Sequence, residues 1–307
     1  MGRVVTGNLA LPAYARVMAS AYSDLDRPPL NERSLQRALM VPGGFVSALR
    51  VLPSAESTNT ALLSAAEDGA PHASVLVAEE QTAGKGRLGR TWTAPARSGL
   101  FVSILLRPES PVDTWTWLPL LAGLAVREAV SKAAGLEVGL KWPNDIVVGD
   151  VLGDGAPAAE LADRKLGGIL CETAPSAAAI VAGIGLNVTL REEELPVPQA
   201  CSLALAGAAS TDRDTLLRAL LRSFGEWYDR WNEAGGDAEA AGLPAAYAKA
   251  CTTIGRDVRV ELPGERTVTG RARGVDRAGA LLVATADQGE VEIGAGDVVH
   301  LRPATGN

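Results

Sequence analysis

Residues 81–92 read QTAGKGRLGRTW, with Gly84, Gly86 and Gly89 alternating with Lys85, Arg87 and Arg90. Glycine permits close approaches that a side chain forbids. A stretch carrying glycines and cations together suits an anion wrapped by backbone N–H groups and positive side chains. A solvated basic loop is the plainer alternative, but apolar strand-like runs at 75–78 and 100–106 hold both ends of the stretch in place. A Walker A loop is excluded because Lys85 is followed by glycine, and a dinucleotide fingerprint because no helix follows. A second cluster, KWPND, spans residues 141–145. There Pro143 fixes the backbone, Lys141 can neutralise phosphate and Asn144 can hold a polar group. Asp145 can serve Mg²⁺, which favours one or two carboxylates plus phosphate oxygens. A turn with a surface ion pair explains any one of these residues, and explains the cluster less well beside Lys165, which opens KLGGIL. Gly167 and Gly168 in that run suggest a strand approached closely by a ligand or another backbone. Ser57, Thr58 and Asn59 stand at a predicted helix start, where spacing alone favours capping over ligand binding.

The elements that must position these residues follow in order. Residues 45–52 form a predicted strand; a helix then runs through Ala61, Leu62, Ala65 and Ala66 to Gly69. A long apolar helix is expected over 115–134, then strands at 138–140 and 146–148 and a long mobile hairpin loop at 149–164. A returning strand (165–171) and another ending in GIGLN (179–188) follow. Leu216, Leu217, Leu220, Leu221, Phe224, Trp227 and Trp231 recur at helical spacing over 212–232. Residues 234–242 form a connector and 244–250 a last short helix. From Thr252 the pattern changes to short alternating strands between Gly, Pro and Asp turns, the mark of a small β-barrel. Residues 1–44 form an N-terminal extension, in part disordered, with one amphipathic helix at 31–40.

With 307 residues, the chain has room for one large domain and a smaller one. Hydrophobic residues make up 47%, enough for a core, yet no apolar run reaches bilayer length. A net charge of −7 argues against broad nucleic-acid binding and sets the cationic loop apart as a pocket for a small anion. The space before Val46 does not hold the three helices and hairpin of a winged-helix DNA reader. Cys171, Cys201 and Cys251 lack metal spacing and read as reduced thiols of a cytoplasmic protein.

Taken in order, STN, QTAGKGRLGRTW, KWPND, KLGGIL and GIGLN, followed by a small β-barrel, resemble the biotin protein ligases, over residues 45–303. The resemblance implies an α/β (α+β) fold. Its catalytic domain (45–250) would be a mixed sheet with flanking helices, related to class II aminoacyl-tRNA synthetases, joined to an SH3-like C-terminal domain (251–307). It implies a ligase that makes biotinyl-5′-AMP from biotin and Mg·ATP. The biotinyl group then passes to a lysine of a biotin carboxyl carrier domain, as in acetyl-CoA or acyl-CoA carboxylase. Carried onto this chain, Ser57, Thr58, Asn59 and Gln81 match positions holding the biotin head group. Gly84, Lys85, Gly86 and Arg87 match a loop that orders over biotin and the adenylate. Arg90 and Trp92 match nucleotide-side positions. Lys141, Asn144 and Asp145 would serve ATP and its Mg²⁺, with Lys165 at the biotin carboxylate and reacting phosphate, Gly168 beside the biotin tail and Asn187 at the adenine. Lys165 and Arg87 are the expected catalytic pair. Lys85 stands where many members of the family carry arginine, which keeps the charge without the planar fork.

The expected partners exclude DNA and membranes, in the manner of the non-regulatory members of the family, and a homodimer stays open. A lipoate ligase of the same superfamily is the nearest rival, but its RRxxGG-type loop and following His are missing. A sensor of biotin would have no use for an ATP site. The C-terminal stretch holds no nucleophile, so it is expected to stay clear of the chemistry and to matter chiefly for transfer to the carrier.

Overall fold

The computed structural model describes residues 26–149, 161–174, 176, 178–264 and 266–301. The N-terminal tail to residue 25 and most of the 149–164 insertion lie outside the described residues.

The first helix, α1 (Glu32–Leu39), buries Leu35 and Leu39 of its expected apolar face and is capped by Asn31, while Met40, expected on that face too, is exposed just past its end. Strand β1 (Ala48–Leu52) follows, then α2 (Thr58–Glu67), β2 (Ser74–Ala78) and β5 (Gly99–Leu106). Between the last two, β3 (Gly84–Lys85) and β4 (Thr91–Trp92) form a small hairpin around a 3₁₀ turn at Arg87–Gly89. Helix α3 is Leu118–Ala134 and ends on Gly135 in the left-handed region. The expected start at Trp115 is corrected: Val112–Trp117 is a 3₁₀ turn. Pro119 has no N–H to offer the Trp115 carbonyl, so regular α-helix begins only after it. Strands β6 (Val138–Lys141), β7 (Asp145–Val148), β8 (Lys165–Ala174) and β9 (Ala179–Asn187) precede α4 (Arg213–Glu233) and α5 (Leu243–Ala250).

The main sheet has seven strands in the order β1-β2-β5-β9-β8-β7-β6. Only the β1–β2 pair is parallel; the rest is antiparallel, so the sheet is mixed. β5 is buried along its whole length, so its alternation sorts residues between two faces. Leu100, Val102, Ile104 and Leu106 join the large core beneath α3 and α4, whereas Leu105 packs with Leu62 and Ala66 of α2 on the other face. β9 divides in the same way: Ile180, Ala182, Ile184 and Leu186 enter the large core. Gly183, Gly185 and Asn187 are left, by alternation, to the α2 face.

Both edges of this sheet are closed by flanking segments. At β1, Gln36 Nε2 donates to the Leu49 carbonyl and Glu32 Oε2 accepts from Val51 N–H. At β6, Leu140 bridges to Cys251, and its carbonyl accepts from Thr252 N–H. The segment before α1 is tied down by a buried ion pair. Arg213 Nη1 lies 2.6 Å from Glu79 Oε2, with the two side chains 5% and 7% exposed. Glu79 also accepts from Leu30 N–H, and Arg213 donates to the Pro28 and Gly99 carbonyls. Removing one member of such a pair leaves an uncompensated charge, so Arg213→Ala should destabilise the fold by roughly 3–5 kcal/mol, read from urea unfolding midpoints.

From Asp257 onward, β10 (Asp257–Leu262), β11 (Arg266–Val275), β12 (Leu281–Thr285), β13 (Gly289–Ile293) and β14 (Asp297–His300) form a five-stranded antiparallel sheet ordered β13-β12-β11-β10-β14. Its buried Val258, Val260, Leu281 and Val283 belong to the same hydrophobic cluster as α3 and α4. No helix among the described residues is long and apolar enough to cross a membrane.

Candidate active site

A cavity of about 510 Å³ opens over the α2 face of the sheet and is lined by every residue that the family resemblance placed at the site except Gly84. Its polar wall is the first turn of α2. Ser57 caps the helix, accepting from Thr60 N–H at 3.4 Å, and still faces the cavity. Capping thus occupies Ser57 alone of the three, and Thr58 and Asn59 line the cavity beside it. Gln81 is fixed because its Oε1 accepts from Thr58 N–H at 2.9 Å.

The charged wall comes from β6, β7 and β8. Lys165 Nζ lies 2.5 Å from Asp145 Oδ1 and 5.9 Å from the centre of the Trp92 ring. Lys165 and Gly168 can share a side because β8 carries an irregularity: Ile146 pairs with Gly167 but Val147 with Lys165, leaving Leu166 as an extra residue. Such a bulge re-aims the side chains around it. A Cβ built on Gly168 would sit 3.3 Å from the Lys165 ammonium. Asn144 Nδ2 donates to the Ile169 carbonyl while its Oδ1 accepts from Arg87 Nη1 at 3.0 Å, joining the glycine-rich hairpin to KWPND. Burial lowers the Arg87 pKa, with the Asp145 charge opposing. Burial lowers Lys141 as well, against the pull of Asp145 and Asp163. These cations are held partly desolvated, where an added anion would be attracted most strongly.

Trp92 forms the floor, its indole so close to β9 that a Cβ on Gly185 would meet it at 2.9 Å. Its Nε1 is buried without a partner. Asn187 lines the cavity but gives its amide to the Cys201 carbonyl, steadying the segment 196–201 that forms the far wall. Gly84 departs from the expectation. It lies outside this cavity, on a shallower one of about 640 Å³ behind the hairpin. A Cβ there would meet the Trp92 carbonyl at 2.5 Å, so its glycine serves the hairpin.

The C-terminal stretch does not stay clear of the cavity, as the sequence led one to expect it would. Glu261, Asp297, Val298 and Val299 line the cavity, and Arg90 is ion-paired with Asp297. Trp142 N–H donates to Thr253 Oγ1 and its indole to the Gly279 carbonyl at 2.9 Å; the Trp117 indole donates to the Arg277 carbonyl at 2.7 Å. The scattered charges of these strands gave no hint of a shared wall, because the contact depends on how two sheets meet. His300 is held among its neighbours by Thr253 and Asp163. Among the described residues no cluster of three His, Cys, Asp or Glu could hold a metal by itself. Asp145 offers one carboxylate, with Oδ2 free of Lys165, which fits an Mg²⁺ arriving with nucleotide phosphates rather than a resident ion.

Residues 51–188 match the Biotin/lipoate A/B protein ligase family and residues 253–301 the Biotin protein ligase C terminal domain. The biotin–[acetyl-CoA-carboxylase] ligase of Mycobacterium tuberculosis is 42% identical over 281 residues, covering 90% of this chain and 97% of that protein. The chain belongs to the biotin protein ligase family. Similarity to other biotin protein ligases extends to the bifunctional ligase/repressor BirA of Escherichia coli, 32% identical over 78% of this chain and 70% of that protein. In three dimensions, the biotin protein ligase of Aquifex aeolicus in complex with biotin and ATP aligns at a TM-score of 0.64 and 28% identity, covering 83% of this chain and 99% of that one.

Proposed function

We propose that the protein activates biotin with ATP and transfers it to a lysine of a carboxylase carrier domain. The observation that carries this is a single cavity joining a neutral polar wall (Thr58, Asn59, Gln81) to a cationic one (Arg87, Lys141, Lys165). The first suits the uncharged ureido ring, the second a carboxylate meeting a triphosphate. The biotin carboxylate attacks the α-phosphorus, the bond to the bridging oxygen breaks and pyrophosphate leaves. Lys165 meets the negative charge that builds on the reacting phosphate, and Arg87, held by Asn144, closes over it. Trp92 offers a flat face and Asn187 a wall for the nucleotide base. Asp145 would hold the Mg²⁺ that accompanies ATP. In the second step the carrier's amine attacks the acyl carbonyl and AMP leaves; no covalent enzyme intermediate is needed.

In this reading residues 45–250 form the synthetase-like catalytic domain and 251–307 an SH3-like one, in a cytoplasmic enzyme. Relatives named for acetyl-CoA carboxylase support the carrier assignment. Pyrophosphate release that requires biotin and ATP together, and is absent with lipoate, tests the function; release with lipoate alone would overturn it. The glycine-rich hairpin should also gain amide protection when the adenylate is bound, since its cations then have an anion to converge on. Hydrogen exchange over residues 81–92 with and without adenylate checks this, and equal protection would rule out a ligand-ordered lid.

A further inference from the structure

Behind the polar wall lies a buried relay that the residues of the wall do not explain by themselves. Ser103, on β5, is fully buried and does not touch the cavity. Its Oγ lies 2.7 Å from Thr58 Oγ1 and 2.6 Å from Asn59 Oδ1. Asn59 in turn has its Nδ2 within 3.0 Å of the Leu170 carbonyl and 2.8 Å of Glu172 Oε2.

The proton positions follow from these partners. A carbonyl and a carboxylate only accept, so both must face the Asn59 NH₂ group, which sets the amide orientation. Asn59 Oδ1 is then turned to Ser103 and has no proton to give, so the Ser103 hydroxyl donates to it. Ser103 Oγ is left with lone pairs alone, and Thr58 is the neighbour able to donate to them. Thr58 is thereby committed: its one hydroxyl proton points back into the protein. Gln81 Oε1, 3.1 Å from Thr58 Oγ1, is served instead by the Thr58 backbone N–H. What Thr58 turns to the cavity is a lone pair. Asn59 cannot shift to relieve this, because it is pressed against Gly183 on β9, where even a methyl group would overlap it.

We propose that Ser103, anchored through Asn59 by Glu172, is a positioning residue that fixes the polarity of Thr58, so that Thr58 accepts a ring N–H of the ligand and discriminates against a ring that lacks one. This rests on reading the cavity as a biotin site. Sites built around a hydrogen bond reject analogues that leave it unmade far more strongly than apolar pockets reject a missing methylene. Once the relay is cut, the Thr58 hydroxyl is free to turn and donate, and the discrimination falls.

The test is calorimetric binding of biotin and of its two cyclic carbamate analogues, in each of which one ureido N–H is replaced by oxygen, to the full chain. The wild-type protein should prefer biotin over the analogue that sets oxygen against Thr58 by at least about a hundredfold. In Ser103→Ala that preference should fall about tenfold: biotin weakens, and the analogue does not. Ser103→Cys fills the same space with a poor hydrogen-bonding group, and should lower the ratio likewise if the alanine variant folds badly. Glu172→Leu should lower it too. Equal weakening of biotin and both analogues would mean a merely structural role for Ser103 and would overturn the proposal. An unchanged ratio in Glu172→Leu would remove Glu172 from the relay. Failure of the wild-type chain to bind biotin at all would instead defeat the functional reading, so the two failures are distinguishable.

Discussion

Replacing Lys165 by alanine is expected to slow biotinyl-adenylate formation by about 10²–10³-fold, the usual cost of removing one preorganised donor from a developing charge. Two features of the geometry point to so large an effect. Lys165 is partly buried, so its attraction for phosphate is less screened than that of a surface lysine. It also neutralises Asp145 at 2.5 Å, and without it that carboxylate would face the incoming triphosphate unpaired. Biotin binding should weaken much less, because the polar wall of α2 is untouched by the change. Single-turnover adenylate formation and calorimetric titration with biotin separate the two effects. A variant that makes the adenylate at near wild-type rate would show that Lys165 has no part in the first step.

Truncation after Ala250 is expected to be at least as damaging, and to both steps. The C-terminal sheet supplies part of the cavity wall and shares one hydrophobic cluster with the helices beneath the main sheet. Its loss would strip partners from the Trp142 backbone N–H and from two indoles, each unsatisfied buried group costing about 1–3 kcal/mol. Trp142 precedes Pro143, Asn144 and Asp145, so the disturbance reaches the charged wall directly. Adenylate formation should drop by about 100-fold or more in whatever soluble protein is recovered, given losses of that size beside the charged wall. Separate measurement of adenylate formation and of transfer from preformed adenylate decides the point. A truncated chain that adenylates normally but transfers poorly would restore the division of labour expected from sequence.

Much of the site was legible because its residue types are costly to place for any other reason. The cations at 85, 87 and 90 beside glycines, and Lys141 and Lys165, suggested one shared pocket, and they do line a single cavity. The main-sheet strands were legible as apolar runs, the C-terminal ones from alternation and the amphipathic α4 from helical period; the β3–β4 hairpin, read as a loop, was not. What escaped was of two kinds. Ser103 left a trace, as the one polar residue in the run Leu100, Phe101, Val102, Ser103, Ile104, Leu105, Leu106, but nothing in that run says what it bonds. Glu172, Asp297 and Glu261 left none, because ordinary surface strands carry such residues too. Their roles come from long-range juxtaposition: Arg90 meets Asp297 across 207 positions of chain. Gly183 and Gly185 were visible in GIGLN, yet only the packing of Asn59 and Trp92 over β9 explains why no side chain is tolerated there.

The two edge closures of the main sheet bear on how the chain fares during its own synthesis. The cover for β1 is made from residues that emerge before the strand itself, so that edge is protected from the moment it forms. The cover for β6 is the stretch at Cys251 and Thr252, more than a hundred residues later. Until the ribosome has delivered it, β6 presents unpaired N–H and C=O groups to every neighbouring nascent chain. The vulnerable interval in the life of this protein is thus set by translation speed between residues 141 and 251, over which the site's charged wall is completed while its border is still missing.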